Sequence, residues 1–171
     1  MHSFGWALPT PNYKGCSVMS KKLIAFFSAE GTTKAKAQLL KEATGADIYE
    51  IKPETPYSAE DVNWRKPFSR CNKEWLKKAK LPLADTNANI ADYDTIYLAF
   101  PIWYFTAPLI IRSFLDSYDF SGKKIVVFAT SGGSDFKKAV DFIKDYAKGA
   151  EVTEGIMLNG INSAEELKDF A

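Results

Sequence analysis

From Lys22 onward, short apolar runs alternate along the chain with segments whose apolar residues recur at helical spacing. Three of the runs are nearly continuous, at 23–27, 95–100 and 124–129, and only the first residues of the last two, Thr95 and Lys124, are polar. Continuous runs are typical of strands buried on both faces, and strands that alternate with helices are typical of βαβ units. The pattern therefore predicts a parallel sheet covered by helices on both sides.

Helical periodicity appears in three segments: 34–44, 109–118 and 136–147. Gly45 and Gly149 follow the first and third of them and are expected to end these helices. Two further runs are predicted strands: 47–51, whose alternation suits an edge strand, and 152–158. Ser163 with Glu166 three residues later predicts a capping box at the start of a short terminal helix.

The segment 58–82 is the least regular part of the chain. Four residues recur there at helical spacing: Trp64, Phe68, Cys71 and Trp75. Pro67 prevents one unbroken helix through them, so two short helices with a shared apolar stripe are expected.

Basic residues are concentrated in the same segment: Arg65, Lys66, Arg70, Lys73, Lys77, Lys78 and Lys80. Tryptophans among basic residues are one pattern of single-stranded nucleic-acid binding. The predicted stripe puts the aromatic residues on one helical face and the charges on others, which favours a solvated amphipathic surface. Docking of an acidic redox partner is the functional alternative, and we expect no nucleic-acid partner.

Composition bounds the function. The 171 residues are 46% hydrophobic and 25% charged, which predicts one compact domain. The net charge of +1 gives no global field that would steer the protein toward nucleic acid or an acidic membrane. Cys16 and Cys71 are too few for a disulfide framework and too isolated for a zinc site, so a cytoplasmic protein with no bound metal is expected. We also expect a monomer. The apolar stretch 96–111 contains two prolines and is too short for a membrane span.

Residues 1–20 are interpreted as an irregular N-terminal extension, followed by one domain over 21–171. The first eighteen residues hold two prolines and two glycines and lack the charged and apolar regions of a signal peptide. Met19, directly before the first predicted strand, resembles a natural start. The intact mass of the native protein tests this expectation.

Ligands of an open parallel sheet bind at the carboxyl ends of its strands, so the loops after the three apolar runs are the candidate site. The first loop, 28–34, is rich in hydroxyl groups and opens into a helix, as a phosphate site requires, although the same residues also cap helices. The second, 101–108, places three aromatic residues beyond a buried strand, where a planar ring system would cover those that do not fold back onto the core or a neighbouring helix. The third, 130–135, holds paired glycines that let a ligand approach its backbone.

Together these loops resemble a flavodoxin from about Lys22 to the C-terminus. The resemblance rests on four stretches: 27–33, 93–103, 107–115 and 121–134. It implies a three-layer α/β/α sandwich with a five-stranded parallel sheet in the order 2-1-3-4-5 and non-covalent FMN. A phosphoacceptor receiver with the same strand order is excluded because the first strand ends in Phe27-Ser28 and not in an acidic pair.

The resemblance also implies the roles of the loop residues. Those of the first loop would hold the phosphate, with Glu30 contributing mainly its backbone: Ser28, Glu30, Gly31, Thr32 and Thr33. Those of the second would border or stack on the isoalloxazine ring: Pro101, Ile102, Trp103, Tyr104 and Phe105. Those of the third would meet its polar edge: Thr130, Ser131, Gly132 and Gly133.

Three functions are compatible with these features. The first is an FMN-binding electron carrier between redox proteins, which needs no catalytic acid, base or nucleophile. The second is an NAD(P)H-dependent FMN or quinone reductase, which needs room for a second planar substrate. The third is a module that has kept the fold and lost FMN, for which Glu30 in the phosphate loop is the best support.

Overall fold

A computed structural model of the protein describes residues 20–171. A single parallel sheet runs through it in the order β2-β1-β3-β4-β5. The strands are β1 (Lys22–Phe26), β2 (Asp47–Glu50), β3 (Thr95–Pro101), β4 (Lys124–Thr130) and β5 (Glu151–Met157). The α-helices are α1 (Thr32–Thr44), α2 (Arg70–Lys77), α3 (Leu109–Asp116) and α4 (Lys137–Tyr146), and two 3₁₀ helices cover Ile90–Asp92 and Ala164–Phe170. The predicted strand order and three-layer sandwich are confirmed.

The continuous apolar runs have a direct structural reason, because successive strand residues face opposite sides of the sheet and both sides are covered. Leu23 of β1 packs with Ile110 of α3 and Ile143 of α4 in one apolar core. The next residue, Ile24, packs with Leu40 of α1 in the other core. Each position of the run is therefore buried on one face or the other. β2 lies at the edge, as its alternating pattern predicts.

The sequence pattern locates the other regular elements to within about two residues, as expected for helix and strand ends. Gly45 follows α1 in a left-handed conformation, with φ of 66°, and its N–H donates to the Lys41 carbonyl. The capping box is confirmed: the Ser163 N–H donates to Glu166 Oε1 at 3.1 Å. The helix that it starts is a 3₁₀ helix.

The prediction of two short helices in 58–82 is wrong. Residues 59–69 form a series of turns, and α2 is the helix of this segment. The shared apolar stripe is also wrong, since Cys71 is buried whereas the side chains of Trp64 and Phe68 are 66% and 81% exposed. A residue series at helical spacing shares one face only if the chain between its members is helical, and here it is not.

Within residues 20–171, no helix is both long and apolar enough to cross a membrane, and no group of three or more potential metal ligands occurs. The predicted extension falls almost entirely on residues 1–19, which lie outside the described part of the chain.

Candidate functional site

The three candidate loops meet at one edge of the sheet. β3 lies between β1 and β4, with Phe26 beside Ala99 and Pro101 beside Thr130, so the loops that follow these three strands emerge side by side. A cavity of about 590 Å³ opens between them. This volume lies within the range of small-molecule sites, about 300–1,000 Å³.

The lining of the cavity includes twelve of the fourteen predicted residues: Ser28, Glu30, Thr32, Thr33, Pro101, Ile102, Trp103, Tyr104, Phe105, Thr130, Ser131 and Gly132. The other two, Gly31 and Gly133, shape the loops with φ values of 92° and 135° and are not in the lining. Six further residues complete it: Ala29, Val62, Trp64, Cys71, Ser134 and Asn159.

One end of the cavity is built for an anion. Gly31 precedes α1, and no side chain caps the helix. The first turn of a helix has backbone N–H groups without intrahelical partners, and those of Thr32, Thr33 and Lys34 have no acceptor among the described residues. The helix dipole adds a partial positive charge at the same point. The loop can therefore receive a phosphate through three amides.

Hydroxyl groups around this end provide more donors. Ser28 Oγ accepts a hydrogen bond from the Gly31 N–H at 3.0 Å, so its own O–H is free to donate. The Oγ1 atoms of Thr33 and Thr130 are 2.8 Å apart and buried. One of these two hydroxyls donates to the other, which leaves the second O–H free for a ligand. The pair also ties the start of α1 to the end of β4.

The fixed charges near this end are modest. Glu30 is exposed and is the one carboxylate among the lining residues that the structure describes. Lys34 Nζ is held by Glu50 Oε2 at 3.2 Å, and Lys36 Nζ donates to the Ile161 carbonyl. The anion site is therefore formed by amides and hydroxyls, with a negative side chain at its rim.

The aromatic loop forms another part of the cavity wall. Trp103 and Thr106 exchange two backbone hydrogen bonds, of 2.9 and 3.0 Å, around a two-residue turn. Its central residues, Tyr104 and Phe105, have φ values of 51° and 67°, the geometry of a type I′ turn. Such turns favour Asn-Gly, because a positive φ is strained for residues with a bulky side chain. Tyr104 and Phe105 therefore adopt this conformation at a steric cost.

The three aromatic side chains of this turn have different surroundings. Trp103 folds back and packs edge-on against Phe27 and Tyr57, with ring centroids 5.6 and 5.4 Å away. Tyr104 stacks on Trp75 of α2 at 5.0 Å. Phe105 is 60% exposed, so of the three it offers the most open face to a bound ring. Fold-back is thus confirmed for Trp103, onto the core, and for Tyr104, onto the neighbouring helix α2.

Phe105→Gly is expected to stabilise the protein by about 0.5–1 kcal/mol, because glycine adopts a positive φ without the steric cost that phenylalanine carries there. Little packing is lost, since the ring is exposed. Urea unfolding measures the change. Phe68→Gly is the matched control: that ring is also exposed, at a residue outside the positive-φ set. We expect the control to be destabilised, and equal destabilisation of both variants would contradict the prediction.

Two asparagines that the sequence analysis missed hold the walls in place. Asn72 Nδ2 donates to the carbonyls of Trp64 and Lys66, and its Oδ1 accepts from the Tyr104 hydroxyl. The Asn159 side chain accepts a hydrogen bond from the Ser131 N–H at 2.7 Å and donates another to the Ser131 carbonyl at 2.6 Å. The Ser131 backbone is therefore already paired, and Gly132 has the free N–H at this edge among the described residues. A poor helix former inside α2 is the only signal in the sequence for Asn72.

A half-buried polar network supports the wall from behind. Tyr57 donates to Glu74 Oε2 at 2.5 Å, and Arg70 Nε donates to Glu74 Oε1 at 2.6 Å. Burial and the Glu74 carboxylate raise the pKa of Tyr57 above its ordinary value. Burial and the hydrogen bond to Cys71 likewise raise the pKa of Tyr104. Both phenols stay protonated at neutral pH and act as fixed donors.

Comparison with known proteins agrees with this geometry. The sequence matches the flavodoxin family over residues 21–171. A candidate flavoprotein of Bacteroides uniformis is 40% identical, with a TM-score of 0.82 over 88% of this chain and 97% of that one. Another from Bacteroides eggerthii is 35% identical, with a TM-score of 0.82 over 88% of this chain and 95% of that one.

A more distant structure, a flavoprotein of Lactobacillus acidophilus in complex with FMN, is 23% identical and has a TM-score of 0.65 over 81% of this chain and 93% of that one. No curated protein matches. The match to the family covers nearly the whole described chain, and the strand order and the loop cluster at the sheet edge accord with it. The chain belongs to the flavodoxin family.

Proposed function

We propose that this protein is an FMN-dependent electron carrier that exchanges electrons with other redox proteins. FMN is the cofactor of the family to which the chain belongs, and the cavity fits it. The observation that carries the proposal is the pairing of an anion site with an aromatic wall across one cavity, because FMN combines a phosphate with a planar ring system. When bound, FMN supplies the redox chemistry.

The residues divide into two groups according to the part of FMN that each would hold. At the phosphate end, the amides of Thr32, Thr33 and Lys34 and the hydroxyl of Ser28 would donate hydrogen bonds. The aromatic turn would border the ring, with Phe105 free to cover it and Tyr104 held in place by Trp75 and Asn72. The Gly132 N–H would face the polar edge of the ring.

The chemistry of the lining favours a carrier over a substrate-specific enzyme. Glu30 is its one carboxylate, and it is exposed to solvent beside the anion site. The Tyr104 hydroxyl is engaged with Asn72 and has a raised pKa, which disfavours proton transfer at neutral pH. A carrier needs its cofactor held and oriented, which these residues do.

The test is a visible spectrum of the purified protein, followed by titration of the stripped protein with FMN and with riboflavin. We expect stoichiometric quenching of FMN fluorescence, no rapid bleaching by NADPH, and reduction by dithionite followed by reoxidation with a one-electron acceptor. Rapid bleaching by NADPH with turnover of a quinone would instead identify a reductase. A protein that ignores micromolar FMN would contradict both functions.

Glu30→Gln is expected to increase the affinity for FMN by about three- to tenfold at low salt, because it removes a carboxylate from the rim of the phosphate site. The gain should shrink at high ionic strength, since Glu30 is exposed. Titration of the stripped protein at two salt concentrations measures it. Glu42→Gln, an exposed position in the last turns of α1, makes the same charge change and should leave the affinity unaltered. An equal gain in both variants would show a general charge effect.

A further inference from the structure

Charge is strongly segregated along this nearly neutral chain. Residues 64–80 contain seven basic residues and one acid, Glu74, a net charge of +6. The whole chain has a net charge of +1, so everything outside this segment sums to −5. Glu74 forms a salt bridge with Arg70, in which Nε and Oε1 are 2.6 Å apart, so these two charges cancel and the other six basic residues account for the net charge of the segment. The segment therefore carries a local positive field that the total charge conceals.

The same segment exposes large apolar side chains. Trp64, Phe68 and Leu76 are 66%, 81% and 78% exposed, and together with Phe105 they are the exposed large hydrophobic residues of the described chain. Phe68 lies in a groove that is also lined by Lys66, Lys73 and Lys77. Two carboxylates, Glu60 and Asp61, also line the groove. Glu60 pairs with Lys66 at 3.5 Å and Asp61 keeps its charge, whereas Lys73 and Lys77 are in no salt bridge among the described residues. Exposed apolar side chains rimmed by polar residues are one mark of a binding surface.

We define the basic surface by its apolar and cationic members: Trp64, Arg65, Lys66, Phe68, Lys73, Leu76, Lys77, Lys78 and Lys80. It adjoins the candidate FMN cavity directly. Trp64 lines that cavity, and α2 forms part of its wall through Cys71. Trp75, next to Leu76 in α2, stacks on Tyr104 of the cavity at 5.0 Å. A protein bound to the basic surface would thus sit beside the cofactor site.

We propose that the basic surface docks the acidic face of an electron-transfer protein, an inference that rests on the proposed carrier function. Charge complementarity favours this occupant, because unpaired lysines attract carboxylates over about 10 Å and speed up encounter. Exposed apolar side chains among them provide the short-range contact. Residues 1–19 of the chain itself do not fit the role, since they contain Lys14 and no acidic residue.

The first test measures binding and needs no cofactor. The probe is a labelled peptide with glutamates on both sides of a central Phe-Leu pair, and anisotropy reports its binding to the full chain. The double variant Lys73→Glu/Lys77→Glu should weaken binding about fivefold or more at low salt, and the effect should fade as salt is added. Neither lysine is in a salt bridge within the described chain, so folding should persist. Circular dichroism and FMN titration check this point.

The matched control is Lys41→Glu/Lys148→Glu, which makes the same charge change at exposed lysines outside the basic surface. We expect it to change peptide binding by less than about twofold. No binding by the wild-type chain, or equal weakening by both double variants, would overturn the proposal.

A single-stranded oligonucleotide that binds more tightly than the peptide, through the same lysines, would identify a nucleic-acid site and overturn the proposal as well. So would salt-sensitive dimerisation that Lys73→Glu/Lys77→Glu abolishes, because a second copy would then be the occupant.

The second test relates the basic surface to the cofactor. FMN-loaded protein is reduced with dithionite, freed of excess reductant and mixed with ferricyanide, each ion of which accepts one electron. The rate of electron transfer to ferricyanide should fall as the ionic strength rises. It should also fall about fivefold in Lys73→Glu/Lys77→Glu, whereas Lys41→Glu/Lys148→Glu should leave it unchanged. A cationic ruthenium hexaammine acceptor should show the opposite salt dependence. Equal rates in both double variants would place electron exit elsewhere and overturn the proposal. If FMN does not bind, the carrier function fails, and the peptide measurement still decides the docking surface.

Discussion

Thr32→Asp is expected to weaken FMN binding by about 10- to 100-fold while leaving riboflavin binding within about twofold. Thr32 is the first residue of α1 and lines the cavity at its anion end. A carboxylate there would lie close to the phosphate of FMN, where like charges repel strongly even at an effective dielectric constant of about 20. Riboflavin has no phosphate, so the same carboxylate has nothing to repel.

Two further measurements make this result specific to charge. Thr32→Asn is the matched control, with nearly the same shape and no charge, and should keep FMN affinity within about threefold. Thr32→Asp itself should not destabilise the fold, because an acidic side chain in the first turn of a helix interacts favourably with its dipole. Equal loss of FMN and riboflavin affinity would mean that the phosphate does not bind at this helix start. The anion site proposed above would then be wrong.

Phe114→Ala is expected to lower the free energy of unfolding by about 3–5 kcal/mol. Phe114 belongs to α3, is completely buried, and packs against the rings of Tyr49, Tyr118 and Phe120 at 6.2, 5.2 and 5.8 Å. Removing its ring leaves a cavity between α3 and the sheet that these neighbours fill only in part. Guanidinium unfolding monitored by circular dichroism measures the loss.

Phe68→Ala removes the same ring from the surface, where Phe68 is 81% exposed, and should change stability by less than about 0.5 kcal/mol. Comparison of the two variants separates the effect of burial from the effect of losing an aromatic ring. A loss of similar size in both variants would contradict the assignment of Phe114 to a packed core. If Phe68→Ala also weakens binding of the acidic peptide without changing stability, the exposed ring is used in docking.

The presence of a parallel sheet and the location of the candidate site could be predicted from the pattern of the sequence, whereas the strand order 2-1-3-4-5 was implied by the resemblance to a flavodoxin. Buried parallel strands require apolar residues on both faces, so a run such as 23–27 can be recognised as a strand without knowing which strands lie beside it. The loops that follow such strands meet at one sheet edge, which is why most of the predicted loop residues do line one cavity. These features depend on local composition and on general rules of strand connection.

Contacts between residues far apart in sequence could not be predicted this way. Asn72 holds Tyr104 across 32 positions, and Asn159 holds Ser131 across 28, because folding brings a single amide next to a backbone that no local pattern specifies. The prediction of one apolar stripe over 64–75 is wrong for a related reason. The chain before α2 forms turns, and the side chains of Trp64 and Phe68 are exposed there. The left-handed Tyr104-Phe105 turn is likewise imposed by its surroundings, namely the Trp103–Thr106 bonds and the Trp75 and Asn72 contacts.

The sequence by itself thus determined the sheet, its covering helices and the edge at which a phosphate-bearing aromatic cofactor would lie. Only the tertiary structure decided which aromatic side chain stays free, which hydroxyls and amides retain unused donors, and that the basic surface adjoins the cavity. The physical reason is that hydrophobic periodicity records the burial of each residue, whereas the direction of a loop side chain is set by partners that the chain meets only after it folds.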